Sequence, residues 1–206
     1  MERELTTAIR RPRADSLRNR EKLLAAAAAV FRETGGQGTL EAVARTAGVG
    51  IGTLYRHFPT REALFEAVYR REIDQLDDLS RELAEDDDPV AALRRFLHGM
   101  VGMVATKKGM VAALAIAIDG SCDIAVYSFT TLSAAMQRLH EPAVASGRLR
   151  PDVSADDILQ TVIGMCLARR EDRWEGAVTR LADVFLDGLL VPEAPAMALR
   201  RESARG

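Results

Sequence analysis

Apolar residues recur at three- and four-residue spacing along most of the chain, and the alternation expected of strands is almost absent. The pattern predicts an all-α fold of about nine helices. The first helix opens at Asp15 or Ser16 and runs through Leu17, Leu23, Leu24, the alanine run 25–29, Val30 and Phe31. Gly35 and Gly36 end it. Leu40, Val43, Ala44 and Ala47 form one apolar face of a short second helix. Gly48 stands where that helix must end with positive φ, which glycine adopts without steric cost. Val49 plugs the turn, and Leu54 and Phe58 mark the inward face of a third helix. Pro59 stops this helix and Thr60 caps a fourth.

The fourth helix carries Leu64, Phe65, Val68, Tyr69, Ile73, Leu76, Leu79 and Leu83 and has no break until about Ala84. At 1.5 Å per residue it spans roughly 35 Å, enough to join a head to a body and carry a displacement between them. Asp86, Asp87 and Asp88 before Pro89 mark the next helix start. Three adjacent carboxylates without further ligands make a poor metal cage, so this run reads as a solvated boundary. The helix after Pro89 is apolar on most sides, the mark of a buried central helix. Lys107, Lys108 and Gly109 are expected to break it before a short buried helix over residues 110–118. Further helices are expected over residues 123–146, shortened by Pro142, then over 154–169 and 174–190. Ser154 and Asp157 have the spacing of a capping box.

Residues 39–61 therefore read as two short helices joined by a glycine turn, a helix-turn-helix whose second helix is shaped for a DNA major groove. The domain boundaries that follow are a flexible basic arm over 1–14, a DNA-binding head over 15–62, a body over 63–191 and a disordered tail over 192–206. The arm holds Arg10, Arg11 and Arg13 and is either a disordered tail or a segment that reaches DNA phosphates or the minor groove.

Charge sharpens this division. The whole chain has a formal net charge of −2, but residues 1–61 hold 11 Lys and Arg against 6 Asp and Glu. The remainder is correspondingly acidic, so the attraction for a polyanion lies in the head. Cys122 and Cys166 are isolated, without metal-type spacing, and read as small apolar residues. His57, His98 and His140 lie in unrelated segments, with no nucleophile–base set and no phosphate-cradling glycine loop. No cofactor and no enzymatic activity are expected. No apolar run is long enough to span a membrane and the N-terminus lacks a signal peptide's apolar core, so a cytoplasmic location is expected.

The stretch from Ala44 through Ala47, Gly48, Val49, Gly52, Thr53, Leu54, Tyr55, Arg56, His57 and Phe58 to Thr60 and Arg61 closely resembles the DNA-binding region of TetR-family transcriptional regulators. The resemblance implies a homodimer with three-helix heads and helical bodies that bind a small molecule. It implies that the helices over 154–169 and 174–190 pair with their mates, through Ile158, Val162, Met165, Val178, Leu181 and Phe185. It also implies that ligand in the body tilts the long connecting helix and releases DNA.

The residues of the head fit that task. Thr53, Tyr55 and His57 point away from the inward Leu54 and Phe58; hydroxyl and phenol groups suit phosphate, and Tyr55 suits a thymine methyl. His57 either donates to phosphate or packs against the preceding helix. Gly50 and Gly52 bring the backbone close to a groove, and Ile51 between them suits a thymine methyl. Arg45 is placed for a guanine or phosphate, Arg61 for a phosphate, and Thr39 caps a helix whose free amides favour a phosphate. Glu41 fits least well: it either caps its helix or accepts from a cytosine amino group. A palindromic operator is expected, with half-sites about one turn, roughly 10 base pairs, apart or a close multiple.

In the body, Phe96, Met100, Met103, Met110, Leu114, Phe129 and Met136 either line a cavity or form packed core. His98, Thr106 and Ser128 are polar groups within reach of such a cavity. An apolar effector is expected. The expected function is a ligand-responsive repressor; the other reading is a helical sensor acting through a protein partner or without a ligand.

Overall fold

The computed structural model describes residues 2–34, 37–114, 123–168 and 174–192; the side chains of 2–13 and 105–114 fall outside it. The described residues form eight helices: α1 (Glu2–Glu33), α2 (Leu40–Ala47), α3 (Ile51–His57), α4 (Arg61–Leu83), α5 (Pro89–Leu114), α6 (Asp123–Ala145), α7 (Ala155–Ala168) and α8 (Glu175–Leu189). An antiparallel bridge between Leu149 and Leu190 ties the loop after α6 to the end of α8. Among the described residues no helix is long and apolar enough to cross a membrane.

Local chemistry sets most helix ends. The Thr39 hydroxyl accepts from the Ala42 amide at 3.1 Å, and Thr60 does the same for Ala63 at 3.1 Å. Asp88 accepts from the amides of Val90 and Ala91, both at 3.0 Å, and from Arg148 at 2.7 Å. The Ala91 amide and then the Arg148 guanidinium hold its carboxyl below the usual range, against the opposing effect of burial. Ser154 and Asp157 form the expected reciprocal cap, each bonding the other's amide, at 3.1 and 3.2 Å.

Three expectations change. Residues 2–14 continue α1 as backbone helix rather than forming an irregular arm. Pro12 lies within this helix and does not end it. The side chains of Arg10, Arg11 and Arg13 lie outside the described residues. Lys107, Lys108 and Gly109 do not break α5, which runs on to Leu114. A single glycine costs only about 1 kcal/mol relative to alanine, too little to stop a long helix. The remainder of the expected 110–118 helix, Gly35, Gly36, Cys122 and the tail from 193 lie outside the described residues.

The third change concerns the boundary between head and body. The chain builds two apolar cores. The head core joins Leu23, Leu24 and Phe31 of α1, Val43 and Ala44 of α2, Leu54 and Phe58, and Leu64, Phe65 and Val68 of α4. The rings of Phe31 and Phe65 meet edge to face, with centroids 4.4 Å apart. The head thus extends through Val68, and the boundary expected at residue 62 cuts its core. The body core surrounds α5, which touches α1, α4, α6, α7 and α8. Phe96, Leu97 and Met100 are buried there, with Met136 of α6 and Ile158, Val162 and Cys166 of α7. Tyr69, on α4, packs against both cores.

Candidate nucleic-acid interface and effector cavity

In the head, Gly48 closes α2 at φ +66°, donating its amide to the Arg45 carbonyl at 3.1 Å. Val49 donates to Ala44 at 3.0 Å and packs on the head core, so the chain reverses within one glycine. Leu54 and Phe58 anchor α3 to that core. Ile51 and Tyr55, one turn apart, are 39% and 46% exposed. Large apolar residues presented together on so short a helix do not serve packing. A Cβ built on Gly50 or Gly52 would have no protein atom within 4 Å, so internal packing does not demand glycine at either position.

Arg45, in the last turn of α2, and Arg56, in the last turn of α3, are both exposed. Sequence reasoning placed Arg56 only within the motif; its exposure adds a cation to the surface. Thr53 is half-buried. His57 is also half-buried, its ring tilted 45° to that of Phe58 with centroids 6.2 Å apart. Thr39 spends its hydroxyl on the cap of α2. That leaves Glu41 in the first turn, where an acid suits the positive helix end. Arg61, expected at a phosphate, also makes contacts within the head. Its guanidinium lies 4.8 Å from the Phe65 ring centroid and 5.5 Å from that of Phe31. It therefore covers the head core by cation–π contact. Arg20 covers Phe58 similarly, at 5.4 Å.

In the body, a cavity of about 250 Å³ opens between α4, α5, α6 and α7. Tyr69, Met103, Val104, Ala125, Ser128, Phe129, Leu132, Leu159, Ile163 and Leu167 line it. Of the expected lining, Met103 and Phe129 are present. Phe96, Met100 and Met136 are fully buried in packed core and do not face it. The side chains of Met110, Leu114 and Thr106 lie outside the described residues. Ser128 lines the cavity, with its hydroxyl donating to the Ala125 carbonyl at 3.0 Å. His98 does not: its Nε2 bonds Asp183 on α8 at 2.8 Å. Arg94 binds the same carboxylate at 2.9 Å. Burial opposes ionisation of Asp183, but Arg94 and His98 together hold its carboxyl below the usual range. The lining residues that the sequence did not single out come from four separate helices.

The outer face of α7 and α8 is apolar. Leu167, Leu181 and Val184 are 57%, 41% and 68% exposed, with Met165 and Phe185 half-buried between them. Ile158, Val162 and Val178, expected at an interface between subunits, are wholly buried in the subunit's own core. Gly164 and Gly188 open space on the two helices, where an added Cβ would meet nothing within 4 Å. Val184 was not anticipated. Among the described residues, no group of three His, Cys, Asp or Glu is placed to hold a metal.

Comparison with known proteins agrees with this layout. Residues 23–68 match the sequence profile described as bacterial regulatory proteins, tetR family, and residues 88–191 that described as transcriptional regulator SbtR-like, C-terminal domain. The chain is similar to the TetR transcriptional regulator SCO0520 from Streptomyces coelicolor, with 39% identity over 85% of this chain and 99% of that one, at a TM-score of 0.74. A TetR transcription regulatory protein from Mycobacterium vanbaalenii is 32% identical over 87% of this chain and 99% of its own, at a TM-score of 0.68. SmeT, the repressor of the Stenotrophomonas maltophilia multidrug efflux pump SmeDEF, shares the fold. It is 23% identical over 85% of this chain and 91% of its own, at a TM-score of 0.57.

Proposed function

Because this chain belongs to the TetR family of transcriptional regulators, we propose that it is a ligand-responsive repressor that binds a palindromic operator as a homodimer and leaves it when a small molecule fills the body cavity. The observation that carries this reading is the outward pair Ile51 and Tyr55 on α3, exposed while Leu54 between them is fully buried. Ile51 and Tyr55 meet base edges and thymine methyls, and Arg45 and Arg56 meet phosphate or guanine. Thr53 and the glycine backbone at Gly50 and Gly52 approach the groove; Thr39 presents the amino end of α2, and His57 lies at the edge of the contact.

The α7/α8 face supports the dimer. Leu181, Val184, Phe185, Met165 and Leu167 meet their mates across a two-fold axis, with Gly164 and Gly188 letting the helices approach closely. The effector is small and mainly apolar. A volume of about 250 Å³ lies just below the usual range for ligand sites, about 300–1,000 Å³. Its described lining offers only the hydroxyls of Tyr69 and Ser128 as side-chain polar groups.

The test is selection of binding sites from random or genomic DNA with the purified protein. A short palindrome is expected. Tyr55→Ala and Arg45→Ala are each expected to weaken binding to it by about tenfold or more, about 1.4 kcal/mol. Both variants are expected to keep the parent's melting temperature. Affinity for the selected site is expected to fall steeply with added salt. Recovery of no preferred sequence, or full affinity in both variants, would overturn the assignment.

A further inference from the structure

Tyr69 of α4 packs against the head core and the body core and also lines the cavity. Next to it on the same helix is Arg70, with Asp74 a little over one turn further along, and both engage Tyr127 of α6. The Tyr127 hydroxyl donates to Asp74, and the Arg70 guanidinium lies 4.6 Å from the centroid of the Tyr127 ring. Arg70 is held on its other side by Glu66, at 3.3 Å. Tyr127 is adjacent in sequence to Ser128 and Phe129, which line the cavity. The seam between α4 and α6 is thus lined mainly by apolar groups where it meets the cavity. A directional hydrogen bond and a cation–π contact close it immediately alongside.

We propose that Tyr127, Asp74 and Arg70 are the strut that carries cavity occupancy from α6 to α4 and so to the head; this rests on the cavity being the effector site, as argued above. A ligand between Tyr69 on one side and Ser128, Phe129 and Leu132 on the other displaces α6 against α4. Apolar contacts absorb small shifts by sliding, whereas a hydrogen bond holds donor and acceptor to a narrow range of distance and angle, so small displacements of one partner are followed by the other. Tyr127 therefore drags Asp74 with it, and α4 moves as one rigid helix, carrying Leu64, Phe65 and Val68, its own part of the head core, with it. A second polar tie on the same two helices joins Arg138 to Asp77 at 3.0 Å and to Ser80. It lies more than one and a half turns beyond Leu132, the last lining residue of α6, and serves stability rather than response.

The experiment replaces the unidentified effector by side-chain atoms. Ser128→Leu and, separately, Ala125→Leu fill the cavity from within. Each is combined with Tyr127→Phe, which keeps the ring under Arg70 but removes the hydroxyl, with Asp74→Ala, and with Arg138→Gln as a control on the remote tie. Operator affinity is measured on the site selected with the parent protein, and melting temperature monitors folding. With the strut intact, filling is expected to weaken operator binding on the order of tenfold, within the usual span of allosteric couplings. In Tyr127→Phe and Asp74→Ala the same filling is expected to change affinity by less than about threefold, while unfilled Tyr127→Phe binds the operator as the parent does. Arg138→Gln is expected to lower the melting temperature and keep the full response.

An equal response with and without the Tyr127 hydroxyl overturns the strut and leaves the effector reading standing. Loss of response in Arg138→Gln as well overturns it too, since general loosening of the seam would then suffice. If both filled proteins fold and bind operator as tightly as the parent with the strut intact, the effector-site reading falls and takes the strut with it.

Discussion

Gly48 holds φ +66°, the left-handed region where a Cβ crowds the neighbouring carbonyl. Nothing lies within 4 Å of where that Cβ would be, so the cost of a side chain here is conformational rather than steric. Gly48→Ala is expected to destabilise the protein by about 1–2 kcal/mol, and Gly48→Asn by less, because asparagine visits this region more readily. Denaturant midpoints of the two variants measure the difference; equal losses would refute the backbone explanation. Gly38 is a different case. A Cβ there would lie 2.3 Å from a Val30 methyl, so the close approach of the α2 entry to α1 demands glycine. No local signal in the sequence marks Gly38, because the atom that excludes a side chain belongs to another helix. Arg61 makes the same point: nothing local in the sequence shows that its guanidinium lies over the rings of Phe31 and Phe65.

At the scale of elements, α7 shows the limit of periodicity. It is apolar around most of its circumference, so spacing alone does not say which stripe meets α5 and which meets another subunit. Ile158 and Val162 turn inward, and Met165 and Leu167 toward the outer face or the cavity. On α8 the outward stripe is Leu181, Val184 and Gly188. Val184→Glu places a charge on that stripe without touching the subunit's core. It is expected to convert the proposed dimer to a folded monomer in sedimentation at micromolar concentration, with unchanged helicity. A persistent dimer would move the interface to another face. The capping elements were legible for the opposite reason: Thr39, Thr60 and the Ser154–Asp157 box act within four residues of themselves.

At the scale of the whole molecule, α4 belongs to both cores, and the contacts along it decide how head and body move together. Glu72 sits at that junction. It is largely buried, and its carboxylate lies 3.7 Å from Arg32 at the end of α1. Burial pushes its pKa above the ordinary value of about 4.5, outweighing the opposing pull of Arg32 and Arg71. A raised folded-state pKa means the native state favours the protonated form. Its contribution to stability is complete below the ordinary carboxylate pKa and is lost as pH rises through the raised value. Glu72→Gln removes this titration. Its stability relative to the parent is therefore expected to rise between about pH 4.5 and neutrality. Denaturant midpoints at the two pH values provide the check; parallel behaviour would show that Arg32 and Arg71 fully compensate the burial.

The sequence by itself determined the helical class, the head with its glycine turn, the outward Ile51 and Tyr55, and the long link from Thr60. Each follows from interactions among residues a few positions apart, where periodicity, caps and glycine or proline carry the physics. Only the tertiary structure decided which methionines are core and which line the cavity, which stripe of α7 faces outward, and that the head reaches to Val68. It also placed Asp74 against Tyr127, 53 residues away. Those outcomes depend on which helix comes to lie against which, and an amphipathic stripe states that a face will be buried without naming what buries it.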